Sequence, residues 1–107
     1  MSEILYIAPF DVMSKVEQGA YLVDIRDINS YQNHHIKNSH RIDNENLPEF
    51  LREANMEKPI IVCCYHGISS IQAAGFLAQQ GFDEVYSLGI SELDFGTSEQ
   101  GALAFHP

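Results

Sequence analysis

The sequence predicts an α/β protein: a parallel sheet with helices on both faces. Two observations carry this reading. Short apolar, β-rich runs alternate with stretches of helical periodicity along the whole chain. Several of those runs are apolar throughout rather than on every second residue, as expected of strands covered on both sides. The crossovers between parallel strands are expected to be right-handed.

Taken in order, Ile4–Ile7 (ILYI) reads as a short strand. Pro9 opens a helix, PFDVMSKVEQG, whose apolar residues Phe10, Val12, Met13 and Val16 share a face and which Gly19 closes. Ala20–Ile25 is a second strand, apolar enough to be buried. DINSYQNHH reads as one or two helical turns with Asp27 as cap, and Ser39–Ile42 as a short strand. NENLPEFLREAN is a helix that turns Leu47, Phe50 and Leu51 inward, with Asn44 or Asn46 as its cap. Pro59–Cys64 (PIIVCC) is the most apolar strand. SSIQAAGFLAQQG follows as a helix, with Ile71, Ala74, Gly75 and Ala78 on one face and Gly81 as its stop. Glu84–Leu88 is the last strand, and the tail SELDFGTSEQGALAFHP carries no readable pattern.

The chain has 107 residues, expected to form one domain over 1–107, with Gly96–Pro107 as a C-terminal tail. That length buries a core without disulfides or a structural metal. The formal charge of −9, with six scattered basic residues, argues against nucleic acid or an anionic membrane as partner. No apolar run approaches the roughly 18 residues of a membrane span. The N-terminus MSEILYIAPF has neither a basic n-region nor a cleavage pattern, so a cytoplasmic setting is expected.

Both cysteines stand side by side in CCYHGISS. Adjacent cysteines bridge poorly, a cytoplasmic setting disfavours a structural disulfide, and a zinc knuckle lacks its second pair. Strand periodicity separates the two instead: Cys63 is expected in the core as a small hydrophobe, and Cys64 on the opposite face where strand gives way to loop. In open α/β sheets the reactive site lies beyond the carboxyl ends of the strands, which is where Cys64 falls. Gly67 permits a tight turn from strand to helix. Such a turn aims several backbone N–H groups into one concavity, and the helix dipole reinforces it. A sulfur held there is favoured as thiolate and is nucleophilic at neutral pH. Ser69 and Ser70 are placed to cap the helix and to donate to the sulfur.

With these residues in view, the chain resembles the single-domain rhodaneses. CYHGISS after PIIVC resembles their active loop, a cysteine followed by a short Gly-containing turn and Ser/Thr at the helix start. YLVDIRD resembles their Asp-x-Arg motif, here Asp24 and Arg26. SYQNHHIKNSHRI resembles a further family segment, with Tyr31 and His35 in place, and GFDEVYSL resembles the strand before the final helix. The resemblance spans nearly the whole chain, roughly Ile4 to Phe95.

The resemblance implies a rhodanese-like fold, a mostly five-stranded parallel sheet. It also implies a thiosulfate sulfurtransferase in which Cys64 carries sulfur as a persulfide. Thiosulfate or another sulfane-sulfur donor supplies the sulfur; a small thiol, a thioredoxin-like acceptor or cyanide takes it. No metal or organic cofactor is called for. The amides of Tyr65, His66, Gly67, Ile68, Ser69 and Ser70 would form the substrate loop. Tyr65 would line the entrance, and His66 would either pair with an anionic substrate or shape the mouth. Asp24, Arg26 and His35 are expected as structural residues near the site, Arg26 as an ion-pair residue beside Asp24 and Asp27 with substrate binding as the lesser alternative, and His35 through a hydrogen bond. His34, His35 and His40 lack companion carboxylates or cysteines at metal-ligand spacing.

The chain departs from the family pattern in several places. His34 stands where the family has Gly, Asn38-Ser39 replace Gly-Ala, and Gly89-Ile90-Ser91 and Phe95 replace Asp-Gly-Gly and Trp. Asn38 remains compatible with positive φ. Two other functions are weighed against the sulfurtransferase. A cysteine phosphatase or arsenate reductase wants an Arg in the loop to clamp an oxyanion, and Ser69-Ser70 stand there instead. A non-turnover sulfur carrier or binding module is the other, kept open by the altered Gly89–Phe95 segment.

Overall fold

The computed structural model describes residues 4–33, 35–36, 38–64, 69–89 and 105–106. Its main sheet has five parallel strands: β1 (Ile4–Tyr6), β2 (Tyr21–Asp24), β4 (His40–Arg41), β5 (Ile60–Cys64) and β6 (Val85–Gly89), in the order β1-β6-β5-β2-β4. The helices are α1 (Pro9–Glu17), α2 (Ile28–Asn33), α3 (Leu47–Glu53) and α4 (Ser69–Gln80). The α/β architecture is the one the apolar runs predicted.

β5 is the centre of the sheet, and all five of its residues are buried. Its alternation feeds two cores. Ile61 and Cys63 face the α1 side with Leu22, Leu88 and Val12, where Met13 and Val16 of α1 pack. Ile60 and Val62 face the other side with Val23, Val85, Ala74, Leu77 and Phe82, covered by α3 and α4. Each such fully buried aliphatic or aromatic side chain stabilises the fold by about 1.5–3 kcal/mol relative to exposure. Tyr21, Phe50 and Phe82 form an aromatic cluster in the second core, with centroids 5.5–6.4 Å apart.

Local signals explain the boundaries. α1 has Pro in its first turn and is followed by Gly19 at φ 104°; α4 is followed by Gly81 at φ 126°. Asp27 caps α2: its carboxylate accepts from the Ser30 amide at 3.1 Å and the Ser30 hydroxyl at 2.8 Å. Asn38 is the single non-glycine at positive φ (70°) among the described residues, as its residue type allowed.

Two features differ from expectation. Neither Asn44 nor Asn46 caps α3. Asp43 does the local work, accepting from the amides of Glu45 (2.9 Å) and Asn46 (3.0 Å), while the Asn46 side chain turns back to the Asp43 amide at 2.8 Å. A turn precedes the helix, so the acceptor sits one turn earlier than a simple cap. The second is an antiparallel ribbon that the sequence did not suggest: β3 (His35–Ile36) pairs with β7 (Phe105–His106), His35 opposite His106 and Ile36 opposite Phe105. Most of the expected tail, Gly96–Pro107, lies outside the described residues.

Candidate active site

The site is built where β5 ends. Cys64 is the last residue of β5, in register with Gly89 of β6, and its residue is 4% exposed. α4 starts at Ser69, and Ser70 is its second residue. The first amides of a helix have no intrahelical acceptor. That of Ser70 instead donates to Cys64 Sγ at 3.2 Å, in a buried setting. Sequence placed the sulfur at the strand's carboxyl end with helix-start amides aimed at it, and the Ser70 amide is one such donor. Two clefts of about 500 and 520 Å³ lie against α3, and Cys64 lines neither.

The neighbouring thiol is a different chemical object. Cys63 is fully buried in the α1-side core. Burial pushes its thiol well above the ordinary 9.0, and the nearby Asp24 carboxylate acts in the same direction. Neither cysteine is in a disulfide.

Behind the sulfur, the α4 start is fastened to β6. Ser70 and Ser87 are both buried, and their hydroxyls lie 2.6 Å apart. Ser87 belongs to no sequence expectation. The available signal was a polar residue at an inward position of a buried strand, which in a folded protein calls for a partner.

Asp24 and Arg26 form a buried ion pair at the carboxyl end of β2, which neighbours β5. Nε of Arg26 lies 3.1 Å from both carboxylate oxygens, Nη2 lies 2.9 Å from Oδ2, and the Arg26 amide donates to Oδ1 at 2.9 Å. Arg41 extends this frame, donating from Nε to the Arg26 carbonyl at 3.0 Å and from Nη1 to Asp43 at 2.8 Å. Such a frame stiffens the end of β2 beside the cysteine pair.

His35 bonds within its own segment. Its Nδ1 lies 2.7 Å from the Tyr31 carbonyl, and its ring stacks on Tyr31 at 4.0 Å. The Tyr31 hydroxyl in turn donates to the Ser39 carbonyl at 2.5 Å, tying α2 to the segment before β4. Tyr65, His66, Gly67 and Ile68, the Ser69 side chain and the segment from Ile90 to Phe95 lie outside the described residues.

Comparisons with known proteins agree with this geometry. Residues 9–92 match the rhodanese-like domain. The chain is 46% identical over 88 residues to the thiosulfate sulfurtransferase GlpE of Pseudomonas syringae, covering 82% of this chain and 83% of the relative. It is 45% identical over 89 residues to that of Shewanella oneidensis, covering 82% and 88%. Among solved structures it superposes on a rhodanese-related protein of Thermoplasma volcanium with a TM-score of 0.66 and 26% identity, covering 82% of this chain and 88% of that one. A central parallel strand ending in a sulfur that accepts a helix-start amide, together with a domain match over residues 9–92, leads to one conclusion: the chain belongs to the rhodanese family.

Proposed function

We propose that this protein is a thiosulfate sulfurtransferase that works through a persulfide on Cys64. The observation that carries the reading is the Ser70 amide held 3.2 Å from Cys64 Sγ at the start of α4. The curated relatives, named thiosulfate sulfurtransferase, support the substrate.

In the first half-reaction the Cys64 thiolate attacks the outer sulfur of thiosulfate. The S–S bond of thiosulfate breaks, sulfite leaves with the electron pair, and the enzyme holds Cys64–S–S⁻. In the second, an acceptor thiolate or cyanide attacks the terminal sulfur. The persulfide bond breaks, and Cys64 regains its electron pair as thiolate. Negative charge sits on sulfur at the helix start in both resting forms. A hydrogen bond to a charged acceptor contributes about 1.5–3 kcal/mol, and the helix N-terminus adds about 0.3–1 kcal/mol. Amides of Tyr65, His66, Gly67, Ile68 and Ser69 complete the cradle in this reading. Asp24, Arg26 and His35 hold its surroundings in place. The sulfur acceptor is a small thiol or a thioredoxin-like protein, the setting is cytoplasmic, and residues 1–107 work as one domain. Among the described residues no helix is long and apolar enough to cross a membrane.

Intact-mass spectrometry after thiosulfate treatment tests this. The expected result is a gain of one sulfur atom, abolished in Cys64→Ser and kept in Cys63→Ala, with no phosphatase activity. No gain from thiosulfate, but a gain from a protein persulfide donor, would assign a sulfur carrier instead.

A further inference from the structure

We propose that Ser87, on the strand that follows α4, is a positioning residue for Cys64. The proposal rests on the reading of Cys64 as the sulfur-carrying nucleophile and adds the part that aims its donor. Ser87 lies on β6 and faces α4, since Val85 and Ser87 pair in register with Ile60 and Val62 of β5, which face that core. Its hydroxyl meets the Ser70 hydroxyl at 2.6 Å, and the two residues are 2% and 0% exposed. The same Ser70 presents its amide to Cys64 Sγ. One residue thus has its side chain anchored to β6 and its backbone directed at the sulfur.

The first turn of a helix is where backbone groups are least constrained, because its amides lack helical acceptors and ends fray. An anchor on this turn therefore acts where aim is otherwise loosest. The anchor is neutral and does not itself touch the sulfur. Its effect passes through the Ser70 amide, and the rate of a thiolate reaction reports it. Buried hydroxyls also demand partners. Removing Ser87 alone leaves the Ser70 hydroxyl to find another partner, which moves the turn.

The test is the alkylation rate of Cys64 by iodoacetamide, followed by mass mapping, in Ser87→Ala and in the double variant Ser70→Ala/Ser87→Ala. In Ser87→Ala the rate at pH 7 is expected to fall about threefold to tenfold, the loss expected when a charge-assisted hydrogen bond is partly misaligned. The double variant, which lacks both ends of the anchor and guards against a misfolded single variant, is expected to lose rate to a similar degree. A purely structural role would lower the melting temperature but leave the rate unchanged in folded protein, and that result in either variant overturns the proposal. Alkylation needs no sulfur donor. A failure of the sulfurtransferase reading would therefore show in the thiosulfate mass experiment while this readout still stood.

Discussion

Cys63 and Cys64 are covalent neighbours that face opposite layers of the protein. Cys63 packs with Ile61 and Leu22 against the α1 side, whereas Cys64 Sγ accepts from Ser70 of α4. One residue of register decides which thiol meets a helix-start amide and which packs in the core.

The first consequence is selective reactivity. Folded protein at pH 7 is expected to alkylate at Cys64 well before Cys63, whose thiol is buried and held above its ordinary range. Peptide mass mapping over time checks this, and equal slow rates at both positions would contradict the site.

The Asp24–Arg26 pair predicts a large stability loss. Both side chains are buried, so Arg26→Ala leaves a carboxylate without its charge partner and is expected to cost about 3–5 kcal/mol. Urea unfolding of the variant reads it directly. A loss below about 1 kcal/mol would mean the pair behaves like an exposed one.

Phe82 predicts a comparable loss by another route. It is fully buried and packs edge-on to Tyr21 and stacked on Phe50. Phe82→Ala is expected to destabilise the protein by about 3–5 kcal/mol, the transfer loss plus the cavity left behind. The same unfolding experiment measures it.

Stability is expected to fall on both the acid and the alkaline side. On the acid side, three carboxyls sit below their ordinary values. Asp27 is held there by Ser30, Asp43 by the Asn46 and Glu45 amides, and Glu84 by the Tyr86 hydroxyl and Lys15. The unfolded chain takes up those protons first, so their contribution is present above the unfolded values and is lost as pH falls through the folded ones. On the alkaline side, Cys63 is raised above 9.0 by burial. Tyr86 is raised by burial and its bond to Glu84, and Lys15 by its bonds to Glu84 and Tyr86. The unfolded chain releases these protons first, so stability falls as pH rises beyond the ordinary value of each. Unfolding midpoints across a pH series check both limbs. A rise in stability above pH 9 would contradict the alkaline argument.

Much of this was legible because it depends on local pattern. The apolar run Ile60–Cys64 forced a buried strand, period-two alternation separated Cys63 from Cys64, and Asn38 declared its own backbone freedom. What escaped depends on distant partners. Ser87 looks like any polar residue until Ser70, 17 positions away, is placed beside it. The β3–β7 ribbon joins two two-residue segments far apart in the chain, too short for periodicity to register. The α3 cap shifted to Asp43 because a turn, which competing Asx bonds favour, came first.

The strand order also governs how the molecule breathes. β5 is flanked by β6 and β2, which are themselves flanked by β1 and β4, so local fraying begins at least two strands away from the sulfur. Amide protons of Ile61 to Cys63 should therefore exchange with deuterium only through whole-molecule opening, while those of β1 and β4 exchange through small excursions. The sulfur proposed as nucleophile thereby sits at the end of the strand expected to fluctuate least.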